Sequence, residues 1–421
     1  MTMMKSSNTE WLGDIPAEWD VAQIGNYYEL RNEKVSDYDF EPLSVTMKGI
    51  VPQLATAAKS DDHSNRKLVK KGDFVINSRS DRRGSCGISP LDGSVSLINT
   101  VMEPRGEMNP QYYNWLFHTE QFADEFYKWG HGIVDDLWTT RWQEMKKILI
   151  VAPSPDEQQA IADYLDETCS KIDEIIAEAK ASIDEYKELK QSVIFEAVTK
   201  GLDKNVEFID SGDEWLGKYP QSYNIGQLSM LSNIVRGGSP RPAGDPRYYG
   251  GNISFMRIAD ITKDDNIYVN SCENTITEEG LTRTRMIPPN TLLLTNSGAT
   301  LGVPKINTFE TAFNDGIAAF LDLDERLNIV YVYFFLKART SYFLECASMG
   351  MGQPNLNTDI IGRTKIVFPT LVEQQKVISY LEDRCGKLNS LISEKESLIK
   401  DLESYKKSLI YEVVTGKRRV V

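Results

Sequence analysis

Two stretches of the chain repeat apolar or small residues at alternating spacings of four and three within otherwise polar sequence. The two sets are Leu165, Cys169, Ile172, Ile176, Ala179, Ile183 and Tyr186, and then Leu381, Cys385, Leu388, Ile392, Ile399 and Leu402, with Lys395 out of pattern. This spacing is typical of a helix that packs along its length on another helix. Prolines at 153, 155 and 369 stand just before the two stretches, as helix starts prefer. We therefore predict two long helices, each with the other as its partner.

The two predicted helices belong to an internal repeat. Glu157–Thr199 and Glu373–Thr415 align without a gap at an offset of 216, with 16 of 43 positions identical. A second repeated motif opens each half, because Glu10–Pro16 and Glu214–Pro220 both begin Glu-Trp-Leu-Gly. The chain thus consists of two tandem units, roughly 10–205 and 214–421, which predicts a pseudo-two-fold molecule.

The segments between these motifs differ in sequence but share a skeleton. Phe74–Ser78 aligns with Leu292–Asn296 as a short buried strand that runs into polar residues, and a glycine follows each at the same spacing. Tyr113–Leu116 aligns with Tyr333–Leu336 as the start of an aromatic helical stretch. The loop after the strand differs most, with the sequence Arg-Ser-Asp-Arg-Arg in the first unit and Ser-Gly-Ala-Thr-Leu in the second. One scaffold with two different polar loops is expected of two recognition surfaces.

The charge distribution limits the partners that the chain can bind. The 421 residues carry a formal net charge of −14, and residues 153–205 account for −7 of it, with 13 acidic and six basic residues. The two large segments are nearly balanced, so each can carry a local basic face. A tight electrostatic DNA binder that works alone is not expected from this balance.

The chemistry-bearing residues indicate a chain without an active site. Five scattered cysteines form no Cys-x-x-Cys pair, and the three histidines form no zinc motif. We expect reduced thiols and a cytoplasmic location, because no signal peptide or bilayer-spanning run is present. No phosphate-binding loop, dinucleotide fingerprint or catalytic triad is recognised. We therefore expect no enzyme activity, no metal site and no cofactor bound by this chain.

The order of these motifs resembles a known protein family. Each unit has the Glu-Trp-Leu-Gly opening, a variable segment, a Pro-x-x-x-Glu-Gln-Gln motif that starts at Pro153 or Pro369, and a long helix. The second variable segment adds Arg236–Pro240, Tyr248–Ile253 and Asn296–Gly302. This arrangement resembles the specificity (S) subunit of a Type I restriction-modification enzyme over nearly the whole chain.

The resemblance implies a fold, partners and a division of labour. The fold would be α+β (mixed), with two globular α/β target-recognition domains, 1–152 and 206–368, in a pseudo-two-fold arrangement. Two long antiparallel helices, within 153–205 and 369–421, would join them as a coiled coil. Each domain would read one half of a bipartite, asymmetric site in double-stranded DNA. The helices would set the spacer and dock two methyltransferase (modification) subunits, which bind S-adenosylmethionine, and motor-nuclease (restriction) subunits would join for cleavage.

The residues that read DNA are predicted from side-chain chemistry rather than from the resemblance. Arginine most often reads guanine, and asparagine or glutamine reads adenine. We chose such residues, with nearby polar and phosphate-binding side chains, on loops bounded by glycine or proline: Lys48, Arg79, Arg82, Arg83, Arg236, Ser239, Arg241, Arg247, Tyr248 and Asn296. The alternative for each of them is an ordinary solvated side chain.

A second interpretation of the whole chain remains open from the sequence. A non-catalytic coiled-coil scaffold with two protein-binding lobes and no DNA function would also show duplication, heptads and acidic charge. The divergent loops, which carry arginines in one unit and asparagine in the other, fit this scaffold less well than they fit a DNA reader.

Overall fold

The protein is described by a computed structural model that covers residues 3–56, 63–79, 82–132, 138–348 and 355–420. The chain divides into two compact units. Unit 1 consists of Met1–Lys180 and Glu396–Val421, and unit 2 consists of Ala181–Lys395.

Unit 1 combines short strands with helices. Its strands are β1 (Met4–Ser6), β2 (Asp14–Pro16), β3 (Asp20–Gln23), β4 (Tyr28–Leu30), β5 (Lys34–Val35), β6 (Leu43–Thr46), β7 (Gly49–Pro52), β8 (Arg66–Val69), β9 (Phe74–Asn77), β10 (Cys86–Ile88), β11 (Gly93–Ser96), β12 (Asn99–Pro104) and β13 (Leu149–Ala152). Its helices are α1 (Ile24–Tyr27), α2 (Pro110–Phe117), α3 (Glu120–Lys128), α4 (Trp142–Met145) and the first part of α5 (Pro155–Lys200).

Unit 2 has the same kinds of element. Its strands are β14 (Phe208–Asp210), β15 (Lys218–Pro220), β16 (Asn224–Gln227), β17 (Asn233–Arg236), β18 (Tyr249–Met256), β19 (Tyr268–Val269), β20 (Thr275–Ile276), β21 (Met286–Ile287), β22 (Leu292–Thr295), β23 (Pro304–Asn307), β24 (Thr311–Phe313), β25 (Ile317–Leu321) and β26 (Lys365–Phe368). Its helices are α6 (Leu228–Leu231), α7 (Ile258–Thr262), α8 (Glu278–Leu281), α9 (Ile329–Ser348), α10 (Thr358–Arg363) and the first part of α11 (Leu371–Val414). The last part of α5 belongs to unit 2, and the last part of α11 belongs to unit 1.

Each unit has its own central sheet, and the two sheets share the same strand order. In unit 1 the strand order is β10-β9-β12-β4, and in unit 2 β23-β22-β25-β17 follow the same order with β19 added at the edge. The central strands β9 and β22 are buried along their whole length. The backbone carbonyl of the residue that follows each strand accepts an equivalent hydrogen bond. Thr140 N donates to Ser78 O at 3.0 Å, and Leu356 N donates to Asn296 O at 2.8 Å. The predicted alignment of Phe74–Ser78 with Leu292–Asn296 is therefore confirmed.

The predicted alignment of the aromatic helices is wrong by one residue. The backbone N–H groups of Asn109 and Asn328 donate to the Oε1 atoms of Gln158 and Gln374, in each case at 2.8 Å. Asn109 therefore corresponds to Asn328, which pairs Tyr113 with Val332 rather than with Tyr333. The glutamines belong to the repeated Glu-Gln-Gln motif, so these bonds fix the register that aromatic similarity alone left ambiguous.

The two long helices start with the same kind of cap. Ser154 N donates to Glu157 Oε2 at 3.2 Å, and Glu157 N donates to Ser154 Oγ at 3.3 Å. This reciprocal pair is a capping box, which satisfies N–H groups that lack helical partners. In α11, Glu373 N donates to the Oγ1 atom of Thr370 at 3.4 Å. The prolines at the predicted boundaries thus lie beside hydrogen-bonded helix starts.

α5 and α11 pack against each other in antiparallel directions. In unit 1, Lys406 Nζ lies 2.6 Å from both carboxylate oxygens of Asp173, and in unit 2, Lys190 Nζ lies 2.8 Å from Asn389 Oδ1. The step of 17 residues from 173 to 190 along α5 corresponds to a step of 17 residues back along α11, from 406 to 389. The predicted antiparallel coiled coil, and with it the α+β fold with two lobes, is confirmed.

The residues predicted for the seam are buried to different degrees. Those that are buried are Leu165, Cys169, Ile172, Ile176, Ile183, Leu381 and Cys385. Those that are half-buried are Leu388, Ile392, Ile399 and Leu402. Burial raises the pKa of the Cys169 thiol to about 11, and it also raises the pKa of Cys385. Both cysteines therefore stay protonated at neutral pH and pack as small apolar side chains.

Candidate nucleic-acid interface

In unit 2, one edge of a four-stranded sheet brings together loops from distant parts of the sequence. The strand order is β20-β18-β24-β21, in which β18 and β24 are parallel and β21 is antiparallel to β24. Arg257 follows β18 and Asn314 follows β24, so both lie where the parallel strands end. Arg285 precedes β21 and therefore lies at the same edge.

The Gly237–Ser239 segment of the Arg236–Pro240 motif folds onto this edge. Gly238 N donates to Phe313 O at 3.2 Å and to Thr284 Oγ1 at 3.1 Å. A Cβ atom at Gly238 would lie 2.1 Å from the carbonyl oxygen of Arg283, so no other residue fits there without movement of the backbone. The loop and the turn that carries Arg283 and Arg285 consequently form one surface.

Two of the predicted residues form hydrogen bonds with Asp315 in the adjacent turn. Ser239 Oγ lies 2.6 Å from Asp315 Oδ1, and Arg236 Nε donates to the carbonyl oxygen of Asp315. We define the arginine edge as Arg236, Arg257, Arg283 and Arg285, all of which are exposed. No carboxylate in the described part of the chain forms an ion pair with any of these four side chains.

The remaining predicted residues of unit 2 differ in their exposure to solvent. Arg241 and Arg247 are exposed, whereas Tyr248 is buried. Arg247 Nη2 lies 2.7 Å from Asp245 Oδ2, and its guanidinium lies 5.3 Å from the centre of the Tyr248 ring. The hydrogen bonds from Arg247 lower the pKa of Asp245, so this arginine already has a charged partner.

Asn296 lies below the surface. It is 0% exposed, and its backbone N–H donates to Gly316 O at 2.9 Å. Neither atom of its amide has a hydrogen-bond partner among the described residues. Asn296 can therefore touch a base edge only if the residues above it move.

In unit 1 the predicted residues occupy three places. Arg82 and Arg83 line a groove of about 730 Å³ whose other polar residues include Gln53, Asn77 and Asn99. Arg83 forms an ion pair with Asp124. Lys48 instead lies exposed at the turn between β6 and β7, and it lines a separate cavity of about 800 Å³.

Arg79 is less open than its neighbours in the loop. It is half-buried, pairs with Thr139 in an isolated β-bridge, and its backbone N–H donates to Asn77 Oδ1 at 3.0 Å. The predicted arginine cluster of unit 1 is thus split between the groove and the sheet end.

The arginine edge contains three residues that the sequence prediction missed, namely Arg257, Arg283 and Arg285. The alternation of threonine and arginine over 282–285 was a usable signal, since clustered basic residues mark nucleic-acid surfaces. Arg257 had no such signal, because the parallel pairing of β18 with β24 is what places it beside the others.

Known proteins are similar to this chain in sequence and in fold. A model of the Type I restriction modification DNA specificity domain matches residues 220–401. The chain is 22% identical to the specificity subunit of the Type I restriction enzyme MjaVIII of Methanocaldococcus jannaschii, over 96% of this chain and 94% of that protein. The chain is related to Type I specificity subunits. Such subunits are non-catalytic DNA-recognition subunits, and they work in a complex with DNA and the other restriction-modification subunits.

A further relative and two solved structures are also similar to this chain. The MjaIX specificity subunit of the same organism is 29% identical over 174 residues, which is 40% of each protein. A chain from a structure on complex assembly and conformational transition of the type I R-M system has a TM-score of 0.74 at 14% identity, covering 96% of this chain and 99% of that one. The HsdS subunit of Thermoanaerobacter tengcongensis has a TM-score of 0.54 at 16% identity, covering 96% and 98%. These two likenesses concern the fold.

Other kinds of site are not indicated. Across the residues that the structure describes, no group of three or more His, Cys, Asp and Glu side chains is arranged to hold a metal ion. No helix in that part of the chain is long and apolar enough to cross a membrane.

Proposed function

We propose that each target-recognition domain, 1–152 and 206–368, reads one half of a bipartite and asymmetric site in double-stranded DNA. The observation that carries this proposal is the shared central sheet with different surfaces. Unit 2 presents the arginine edge beside β18 and β24, whereas unit 1 presents the β6–β7 turn and the groove with Arg82 and Arg83. Two divergent surfaces on one scaffold suit two different base sequences.

We further propose that the helices, within 153–205 and 369–421, set the spacer and dock two methyltransferase subunits. Large apolar side chains are exposed along them, which favours contact with a protein: Ile175, Leu189, Tyr380, Leu391, Leu398 and Tyr405. The −7 charge of residues 153–205 makes the first helix unsuited to direct contact with phosphates.

The chemistry would reside on the partners of this chain. S-adenosylmethionine would bind to the methyltransferase subunits rather than to this chain, and motor-nuclease subunits would join the same assembly for restriction. We place this assembly in the cytoplasm, with access to the chromosome.

Reconstituted methylation tests the proposal. The purified chain is mixed with the methyltransferase encoded beside it, S-adenosylmethionine and a randomised DNA library, and methylated sequences are recovered. We expect methylation at one bipartite sequence, and none with either protein alone. Methylation without sequence preference, despite a stable protein complex, would instead support the scaffold with two protein-binding lobes.

A further inference from the structure

Three arginines of unit 2 differ in what holds their guanidinium groups. Arg247 and Arg326 each form an ion pair with an aspartate two residues earlier in the chain, at 2.7 Å and 2.8 Å. In contrast, Arg257 has no carboxylate partner for its side chain within the described residues. Its guanidinium lies 5.7 Å from the ring centre of Tyr249 and 6.0 Å from that of Phe255.

The surroundings of Arg257 hold it in place without using its side-chain donors. Its backbone N–H donates to Asp260 Oδ2 at 2.7 Å, and Asp260 is itself buried. Tyr249, on which the guanidinium rests, is fixed because its hydroxyl donates to Pro240 O at 2.8 Å. An arginine restrained by aromatic rings loses less conformational freedom when it binds, while its N–H groups remain available.

The same edge also holds an unpartnered acceptor below its surface. Asn314 N donates to Met256 O at 3.0 Å, which places Asn314 beside Arg257. The Oδ1 atom of Asn314 is buried and has no hydrogen-bond partner in the described part of unit 2. Like the amide of Asn296, this atom can reach a base only if the residues above it move, so Arg257 is the side chain of this pair that is open to DNA.

The exposed guanidinium of Arg257 matches the guanine of a G·C base pair in the major groove. Guanine presents two acceptors, N7 and O6, which an arginine binds with two parallel hydrogen bonds, and cytosine presents an amino donor. We propose that Arg257 is a specificity-determining residue that reads a guanine in the half-site of unit 2. This inference rests on the proposed function and adds the identity of one base and of its reader.

The test compares Arg257→Lys and Arg257→Ala with Arg326→Ala in the assembled methyltransferase complex. Arg326 is a matched control, because it is exposed and lies 5.7 Å from the ring centre of Phe368 but is paired with Asp324. Methylation of a library randomised across the site is sequenced for each complex, and thermal unfolding of each variant is measured.

We expect both Arg257 variants to lose about tenfold or more of the preference for guanine at one position of one half-site. Lysine should keep less of the preference than arginine, because it retains the charge but cannot reproduce the planar fork. Arg326→Ala should keep the full preference. If Arg257→Ala does not fold, the guanine preference of Arg257→Lys alone tests the inference.

Three results would overturn the inference. They are a half-site of unit 2 without guanine, unchanged preference in both variants, and an equal loss of binding to all sequences, which indicates a phosphate contact. In each case a bipartite site methylated by the wild-type complex leaves the proposed function standing. The absence of any bipartite site in the wild type would refute the proposed function itself.

Discussion

At the scale of single residues, Asp265 shows how a recognition domain is attached to a long helix in unit 2. Its Oδ2 atom lies 2.5 Å from Lys190 Nζ on α5, and its Oδ1 atom lies 2.5 Å from Lys337 Nζ on α9. Burial raises the pKa of this carboxyl group, but the two lysines outweigh burial and lower it to about 2. The carboxylate therefore stabilises the attachment in its charged form.

Removal of this charge should destabilise unit 2. We expect Asp265→Asn to lower the free energy of unfolding at pH 7 by about 1 kcal/mol, because two partly buried lysines lose their counter-charge. The pKa of Asp265 is lower in the folded protein than in the unfolded chain. Its charge therefore contributes fully to the free energy of unfolding above the pKa of an unfolded aspartate, about 4, and this contribution is lost as the pH falls through about 2. Urea unfolding measures the difference at several pH values, with the variant Glu394→Gln at an exposed position of unit 2 as control. A constant difference between pH 7 and pH 3 would contradict this account.

The arginine edge also predicts how DNA binding depends on salt concentration. Arg283 and Arg285 lie exposed on one turn and have no ion pair among the described residues, so they suit phosphate contacts. We expect Arg283→Ala or Arg285→Ala to weaken binding to all sequences alike and to lower the slope of log K against log salt by about 1. Titrations of DNA into the assembled complex at several salt concentrations measure this slope. A loss confined to one base position would mean that the residue reads bases instead.

At the scale of secondary-structure elements, local patterns predicted the helices and two central strands, but not what surrounds them. The heptads of α5 and α11 and their capped starts are visible in sequence, because periodicity and caps involve neighbouring residues. The strands β9 and β22 were found as short apolar runs. The arginine edge was missed because it depends on the pairing of Phe255 in β18 with Ala312 in β24, which are far apart in sequence. The burial of Asn296 likewise depends on Gly316 and Leu356.

The helix pair provides a prediction about the number of base pairs between the two half-sites. The boundary between the units falls between Lys180 and Ala181 in α5 and between Lys395 and Glu396 in α11. Seven residues inserted at both points keep the heptad phase and lengthen each helix by about 10 Å. At about 3.4 Å per base pair, we expect the same two half-sites with about three additional spacer base pairs.

Methylome sequencing of cells that carry the lengthened protein measures the spacer directly. The control is an insertion of two residues at each point, which turns the apolar seam about 200° away from its partner and should prevent assembly. An assembled seven-residue mutant that keeps the original spacing would show that the helices do not set it.

At the scale of the whole molecule, each recognition domain is bonded to both long helices. In unit 1, Asn109 N donates to Gln158 near the start of α5, and the hydroxyl of Tyr112 donates at 2.7 Å to Val414 O at the end of α11. In unit 2, the hydroxyl of Tyr331 donates at 2.8 Å to Val198 O near the end of α5. These bonds involve backbone atoms and repeated residues, so a domain can diverge on its outer surface and keep its attachment.

Exchange of one domain tests whether each domain reads its own half of the site. Residues 20–150 are replaced by the equivalent segment of a related specificity subunit with a different target, and the methylated sites are determined by sequencing the genome of cells that also express the methyltransferase. The account predicts that one half of the bipartite site changes to that of the donor, while the other half remains as in the parent. A change in both halves, or in neither, by an assembled and active complex would contradict it.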